Sequence, residues 1–410
     1  MRKSLFLVAG TVLFGMLAFT SCDKDDKKGS EVIAPVKAET LWNSTNGLVL
    51  AVDGNDIIGG SVLYTPDKND ATKASLLVKG EIMDISSLLS FDMDASKAIL
   101  EAATLNVLPG QPSLEMGITM EVADGIGSFE GRGESEYCTY SYKGQVSEAG
   151  LNLAFADVAL KNQTLAGTEW NLRSPNPNLN LNTIDIECSD PKSQAASLVG
   201  LISMLRPFLT INTVADEKVS VDMWLCEALS SLRFYENGAW NFYFKKPFTN
   251  QIPSELPKTC LNYVLGENNT MRMYVNLGNI IRSLIGPMPT PTPVLTVKSG
   301  ISDNMSAMIT SQISGMLVQY LMDGIPFMYE MTDKAALKLT IDPTFVSSIM
   351  SIVLPLLQEP EVQSELMTAI SENPDMAMLA ELLPALLKSL PTELDADILI
   401  SINFVAPVLV

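Results

Sequence analysis

Carboxylates are the acid–base groups this sequence offers. Side chains two apart on a strand share a face, so Glu134 with Glu136 and Asp185 with Glu187 have the spacing for the acid and nucleophile of a glycosidase. Neither pair lies in a recognisable motif, and same-face acids are also what the solvated side of a sheet carries. Asp92-Met93-Asp94 presents two oxygen ligands for calcium, without the glycine and distal glutamate of a full loop. Glu130-Gly131-Arg132-Gly133 has the wrong glycine spacing and charge to cradle a phosphate, and it reads as a turn. Histidine is absent from all 410 residues. That absence excludes Ser-His-Asp and Cys-His nucleophilic machinery and any His-ligated zinc or copper site. Beyond Cys22, the cysteines Cys138, Cys188, Cys226 and Cys260 contain no C-x-x-C spacing. They suit either up to two disulfides in an oxidising compartment or small buried thiols. No cofactor is expected, and the chain reads as non-catalytic.

Apolar side chains offer the alternative to catalysis, which is binding. Asn237-Gly238 between aromatic runs is a strong hairpin signal, and after it Trp240, Phe242 and Phe244 share one face. Met308 and Met316 lie two turns apart on one helical face, and Met376 and Met378 belong to a separate helix. Methionine adapts to irregular apolar surfaces. Trp240, Phe242, Met308, Met316, Met376 and Met378 are therefore the candidate ligand-lining residues, although periodic apolar stripes are also ordinary core. Exposed aromatics would favour a glycan, and an enclosed apolar chamber would favour an apolar molecule.

The elements that must position these residues are mostly strands. Short alternating runs bounded by turn residues span Leu48–Val52, Leu76–Ile82, Leu114–Met120, Cys138–Tyr142 and Leu151–Phe155, with turns expected at Lys143-Gly144 and Ala149-Gly150. This pattern predicts a meander of antiparallel hairpins with one buried face. A helix is expected over Asp94–Ala103. After Lys161-Asn162-Gln163 the texture changes, and strands alternate with apolar helices. Asp190-Pro191 and Asp342-Pro343 each pair a capping acid with a proline suited to a first helical turn. Helices are expected to be broken at Pro207, Pro355 and Pro384, which keeps each too short for a bilayer span. The proline-rich stretch from Gly286 to Pro293 reads as an extended connector. Helical spacing follows from Met305 to Leu321, then helices over Pro360–Leu390, and a final strand carries Ile398, Ile400, Ile402 and Phe404 on one side. The helices would roof the open end of a curled sheet and leave an apolar chamber beneath.

At the N-terminus, Arg2 and Lys3 precede an apolar run from Leu5 to Phe19, and small residues Thr20-Ser21 precede Cys22. This resembles a bacterial lipoprotein signal peptide. With Asp23-Lys24-Asp25-Asp26 behind it, the segment resembles those of surface lipoproteins of Bacteroides-type bacteria, apart from Phe19, where the pattern prefers leucine. The resemblance implies that Cys22 is the acylated first residue after cleavage and that the protein sits on the outer face of the outer membrane. A second resemblance lies at Gly167-Thr168-Glu169-Trp170. It is similar to the opening of lipocalin-like β-barrel domains, in which the tryptophan plugs one barrel end; Leu41-Trp42-Asn43 echoes it earlier in the chain.

Together these readings predict an α+β fold, mostly antiparallel β, with two β-rich domains. The divisions are 1–21 signal peptide, 22–38 lipidated tether, 39–163 antiparallel β domain, and 164–410 lipocalin-like β domain with helical insertions. A net charge of −20 makes nucleic acid an unsuitable partner. The function expected is a non-catalytic cell-surface lipoprotein that binds an apolar or glycan ligand. A structural or adhesive surface component and a carboxylate-dependent glycan hydrolase are the alternatives.

Overall fold

The computed structural model describes residues 33–57, 59–80, 106–179, 181–206, 210–212, 217–258, 260–276, 280, 319–320, 322–332, 335–371, 390–391 and 393–407. The expected helix over Asp94–Ala103, the Asp92-Met93-Asp94 run, the proline-rich connector and Cys22 lie outside these residues. Strands dominate, as the alternation predicts.

The first ten strands form two sheets. They are β1 (Thr40–Asn43), β2 (Leu48–Val52), β3 (Asn55–Asp56), β4 (Ser61–Pro66), β5 (Lys73–Lys79), β6 (Ser113–Thr119), β7 (Glu121–Ala123), β8 (Ile126–Glu134), β9 (Cys138–Ser147) and β10 (Gly150–Leu160). One sheet runs β1-β4-β5-β6 and the other β3-β2-β10-β9-β8-β7. Alternation is strict where one face is buried, so Ala74, Leu76 and Val78 of β5 and Leu114, Met116 and Ile118 of β6 point into the core. The meander has one exception, because β2 pairs with β10 in parallel, with Leu48 opposite Leu151.

Two expected turns are strand interior instead. Gly131 and Gly133 lie within β8, opposite Tyr142 and Tyr140, and Gly144 lies within β9, opposite Phe129. A Cβ on Gly144 would come 2.4 Å from the Phe129 ring and 2.6 Å from the Asn152 carbonyl oxygen, and one on Gly133 would come 2.6 Å from the Tyr140 ring. The glycines are there so that the opposing rings can lie flat across the strand, a packing requirement that reads as a turn when only the sequence is seen.

The later strands form one nine-stranded sheet and a small hairpin. They are β11 (Glu169–Leu172), β12 (Ile184–Cys188), β13 (Thr210–Asn212), β14 (Lys218–Ser220), β15 (Leu229–Phe234), β16 (Trp240–Phe244), β17 (Leu261–Leu265), β18 (Thr270–Val275), β19 (Ile325–Thr332), β20 (Ala336–Ile341) and β21 (Ile398–Val405). The helices are α1 (Gln194–Leu205), α2 (Val221–Ala228), α3 (Pro343–Gln358) and α4 (Pro360–Ser371). The sheet order is β16-β15-β11-β21-β20-β19-β18-β17, with β12 also on β21, and a bridge between Ala239 and Asn262 brings its two edges together. Eight strands therefore follow one another around a nearly closed, up-and-down antiparallel barrel, which is the lipocalin-like architecture. The fold is α+β with mostly antiparallel β.

Helix α3 begins as expected, with the Asp342 carboxylate accepting from the Thr344 amide at 2.8 Å and Pro343 in the first turn. It does not break at Pro355 but runs through to Gln358. Helix α1 starts at Gln194, three residues after Pro191, because Asp190 spends its carboxylate on the Lys192 amide in a local turn. Ser193 then takes the cap, and Asp395 reaches from the other end of the chain to accept from the Gln194 and Ala195 amides at 2.8 and 3.0 Å.

No strand pairing joins the two groups of strands among the described residues, yet one apolar core runs through both. The outer face of β17 and β18 contributes Val264 and Tyr274, 1% and 7% exposed, and a Cβ on Gly110 would touch both Tyr137 and Val264. The β15–β16 turn is held from the other side: Glu236 accepts from the Leu160 amide at 3.0 Å, and Asn237 donates to the Asp53 carboxylate at 2.9 Å.

Candidate ligand-binding mouth of the barrel

The connections between barrel strands divide sharply by end. Tight turns join β15 to β16, β17 to β18 and β19 to β20, all at one end. Every long excursion leaves from the other: residues 173–228, 245–260, 276–324 and 342–397. Loops gathered at one end of a rigid barrel are the usual place for a binding site. This end is the mouth, and the turn end is the floor.

Inward-facing side chains follow from the register. Trp170 pairs with Leu232, Phe234 with Trp240, Tyr263 with Met273, Tyr329 with Leu339, and Leu337 with Phe404. Toward the floor these are solidly packed, with Trp170 2% exposed and its indole N–H donating to Thr168 Oγ1 at 2.8 Å. Phe234 meets Tyr263 edge-on at 4.8 Å, and burial pushes the Tyr263 hydroxyl far above its ordinary pKa. An eight-stranded barrel is just wide enough for such filling. Toward the mouth the inner face stays apolar but is only half-buried: Phe242, Phe244, Val275, Ile325, Phe327, Ile341 and Ile400.

Helices rest on this rim. Ala195 and Leu198 of α1 and Val346 and Leu354 of α3 pack with Ile398 of β21 into a second, smaller core, separate from the main one. Leu225 and Cys226 of α2 pack against the main core. Arg206 after α1 is ion-paired with Asp222 of α2, which ties the two helices together.

Of the sequence candidates, Trp240 and Phe242 both face the barrel interior, as an edge-on pair 5.1 Å apart. Trp240 is 6% exposed, and its indole N–H donates to the Asn262 carbonyl at 2.9 Å, pinning the seam where β16 meets β17. Phe242 stands above it on the mouth side. Met308, Met316, Met376 and Met378 lie outside the described residues, within the two excursions that leave and re-enter the barrel at the mouth.

The carboxylate pairs are placed differently. Glu134 is exposed on the outer face of β8, 3.1 Å from Lys161 Nζ, in an open groove of about 820 Å³ that it shares with Arg132, Thr139, Ser141 and Asp157, while Glu136 falls outside its lining. Asp185 accepts hydrogen bonds from Asn182 at 3.0 Å, Asn403 at 2.8 Å and Arg173 at 3.3 Å, whereas Glu187 is exposed and 3.8 Å from Lys338. Burial would raise the Asp185 carboxyl, but the Asn182 and Asn403 amides and the Arg173 guanidinium outweigh it and hold the group below its ordinary value. This network closes the neck of the 173–183 excursion, where β21 exchanges β11 for β12 as its neighbour. Sequence reasoning missed Arg173, Asn182 and Asn403, since no spacing connects residues so far apart in the chain.

None of the four described cysteines is in a disulfide, and Cys138 and Cys260 are fully buried. Burial raises Cys138 and Cys226 and keeps them protonated. Among the described residues no group of three or more potential ligands comes together to hold a metal. Comparison with protein-family models, curated proteins and solved structures finds no match for this chain.

Proposed function

We propose that this chain is a non-catalytic lipoprotein of the outer-membrane surface that takes an apolar ligand into the mouth of its barrel. The observation that carries the reading is the contrast along the barrel axis: a floor filled by Trp170, Phe234 and Tyr263, and a half-buried apolar rim formed by residues such as Phe242 and Phe327 where every long excursion gathers. A filled floor with a half-buried apolar rim suits a molecule that enters from the mouth. A glycan is the weaker choice of ligand, because every described aromatic ring is at least partly buried and sugar stacking needs a ring face in solvent. Asp185 is consumed by structural hydrogen bonds, which argues against its pair with Glu187 serving hydrolysis.

An environment-sensitive apolar dye should bind the folded protein saturably at about one site, and Phe242→Asp should abolish binding by placing a charge on the rim. No saturable binding by folded protein would replace this reading with a structural or adhesive one. The anchor has its own test. Among the described residues no helix is long and apolar enough to cross a membrane, so Cys22→Ser should move the protein from the membrane fraction to the soluble one. Retention in membranes would sink the assignment.

A further inference from the structure

We infer that β6 is an interaction edge: a second copy of this chain pairs with it antiparallel, about a two-fold axis at Met116, and joins the two four-stranded sheets into one. The backbone is already set out for this. The Met120 amide donates to the Thr72 carbonyl at 2.7 Å and the Gly80 amide to the Pro112 carbonyl at 3.2 Å, one bond at each end of the β5–β6 register. Bonded positions in an antiparallel pair recur at every second residue. Leu114, Met116 and Ile118 therefore spend their backbone groups on β5, while Ser113, Glu115, Gly117 and Thr119 turn theirs outward. Those same four residues are exposed, and among the described residues β6 is the last strand of its sheet.

Edges are normally kept short, or guarded by lysine, proline or a bulge. The other edge strands of these two sheets follow the rule, with four residues in β1, two in β3 and three in β7. Strand β6 has seven, in unbroken register with β5 and with no lysine or proline. Gly117 is a second, separate observation. The glycines of β8 and β9 make room for opposing rings, but a Cβ on Gly117 would meet nothing within 4 Å, and its φ is not positive. A strand glycine without an internal reason marks a place where another backbone comes close.

The edge selects a second copy as its occupant because it complements itself. About Met116, Glu115 falls opposite Gly117 of the other copy and Ser113 opposite Thr119, so hydroxyl meets hydroxyl and no acid faces an acid. Leu114 falls opposite Ile118, which continues the buried face from one sheet into the next. A register centred on Glu115 would set two like charges directly opposite.

Sedimentation of the full chain carrying Cys22→Ser, which has no acyl attachment point, tests the pairing. A concentration-dependent monomer–dimer equilibrium is expected, tightening several-fold between about 0.05 and 0.5 M salt as the repulsion between two chains of charge −20 is screened. Gly117→Pro removes an amide that faces the free edge, so it should leave the circular dichroism unchanged and weaken the dimer at least about tenfold. The double variant Ser113→Lys with Thr119→Lys, which sets lysines opposite each other, should do the same without touching the backbone. Register is read by mixing a Ser113→Cys chain with a Thr119→Cys chain, whose Cα atoms would stand about 5.5 Å apart, within disulfide range. The mixture should cross-link on oxidation while neither chain cross-links with itself. A chain that stays monomeric to about 0.5 mM, or a dimer indifferent to both edge variants, overturns the inference; self-cross-linking of the Ser113→Cys chain overturns the axis at Met116.

Discussion

Asp185 shows how a residue chosen for its chemistry can be spent on architecture. Its position in a same-face acid pair is visible in the sequence, but its partners are not, because Asn403 lies more than two hundred residues away and meets it only once the barrel has closed. The folded carboxyl titrates below its ordinary 3.8. A depressed carboxyl contributes stability that is present above the unfolded value and lost as pH falls through the folded one. Asp185→Asn should therefore cost about 1.5–3 kcal/mol near neutrality, the range for hydrogen bonds to a charged group. Its unfolding free energy should also vary less with acidification below roughly pH 5 than that of the parent chain. Urea titrations at a series of pH values measure both, and parallel curves for the two proteins would remove the linkage.

At the scale of elements, periodicity predicted strands well and misread glycines within them. The alternation of β5, β6 and β21 is a direct print of one buried face, so those strands were legible. Gly131, Gly133 and Gly144 were not, because a glycine that makes room for an opposing ring is written with the same letter as one that turns the chain. The distinction has a measurable consequence. Gly144→Ala should destabilise by about 1–3 kcal/mol, since its Cβ meets both a packed ring and a backbone carbonyl. Gly117→Ala in β6, where a Cβ meets nothing within 4 Å, should be neutral or slightly stabilising. Equal effects at the two sites in thermal melts would argue against the ring-over-glycine packing. The helix at Asp342-Pro343 was legible from its cap, whereas the start of α1 was not, since part of its cap comes from Asp395.

For the whole molecule, among the described residues no strand of the barrel sheet pairs with any of the first ten strands, and we propose that residues from Leu165 onward fold without them. Such a chain should melt cooperatively with a strand-dominated circular dichroism spectrum. It should be less stable than the full chain by about 2–4 kcal/mol, because the Val264 and Tyr274 face loses its cover. A molten product would refute the division at residue 164. The lipocalin-like class was legible from the Gly167-Thr168-Glu169-Trp170 opening; the sorting of long excursions to one end was not, since only the assembled order of strands reveals it. That order also sets a sequence of events in time. The three tight hairpins are local and can form early, within microseconds. The pairing of the first and last barrel strands joins Asn171 to Val405, so it must wait for the two strands most distant in sequence to meet, and long-range pairing is slow. Until then β11 and β20 stand as open edges, ready to pair with another chain. The interval before β21 docks is when this protein is most exposed to aggregation.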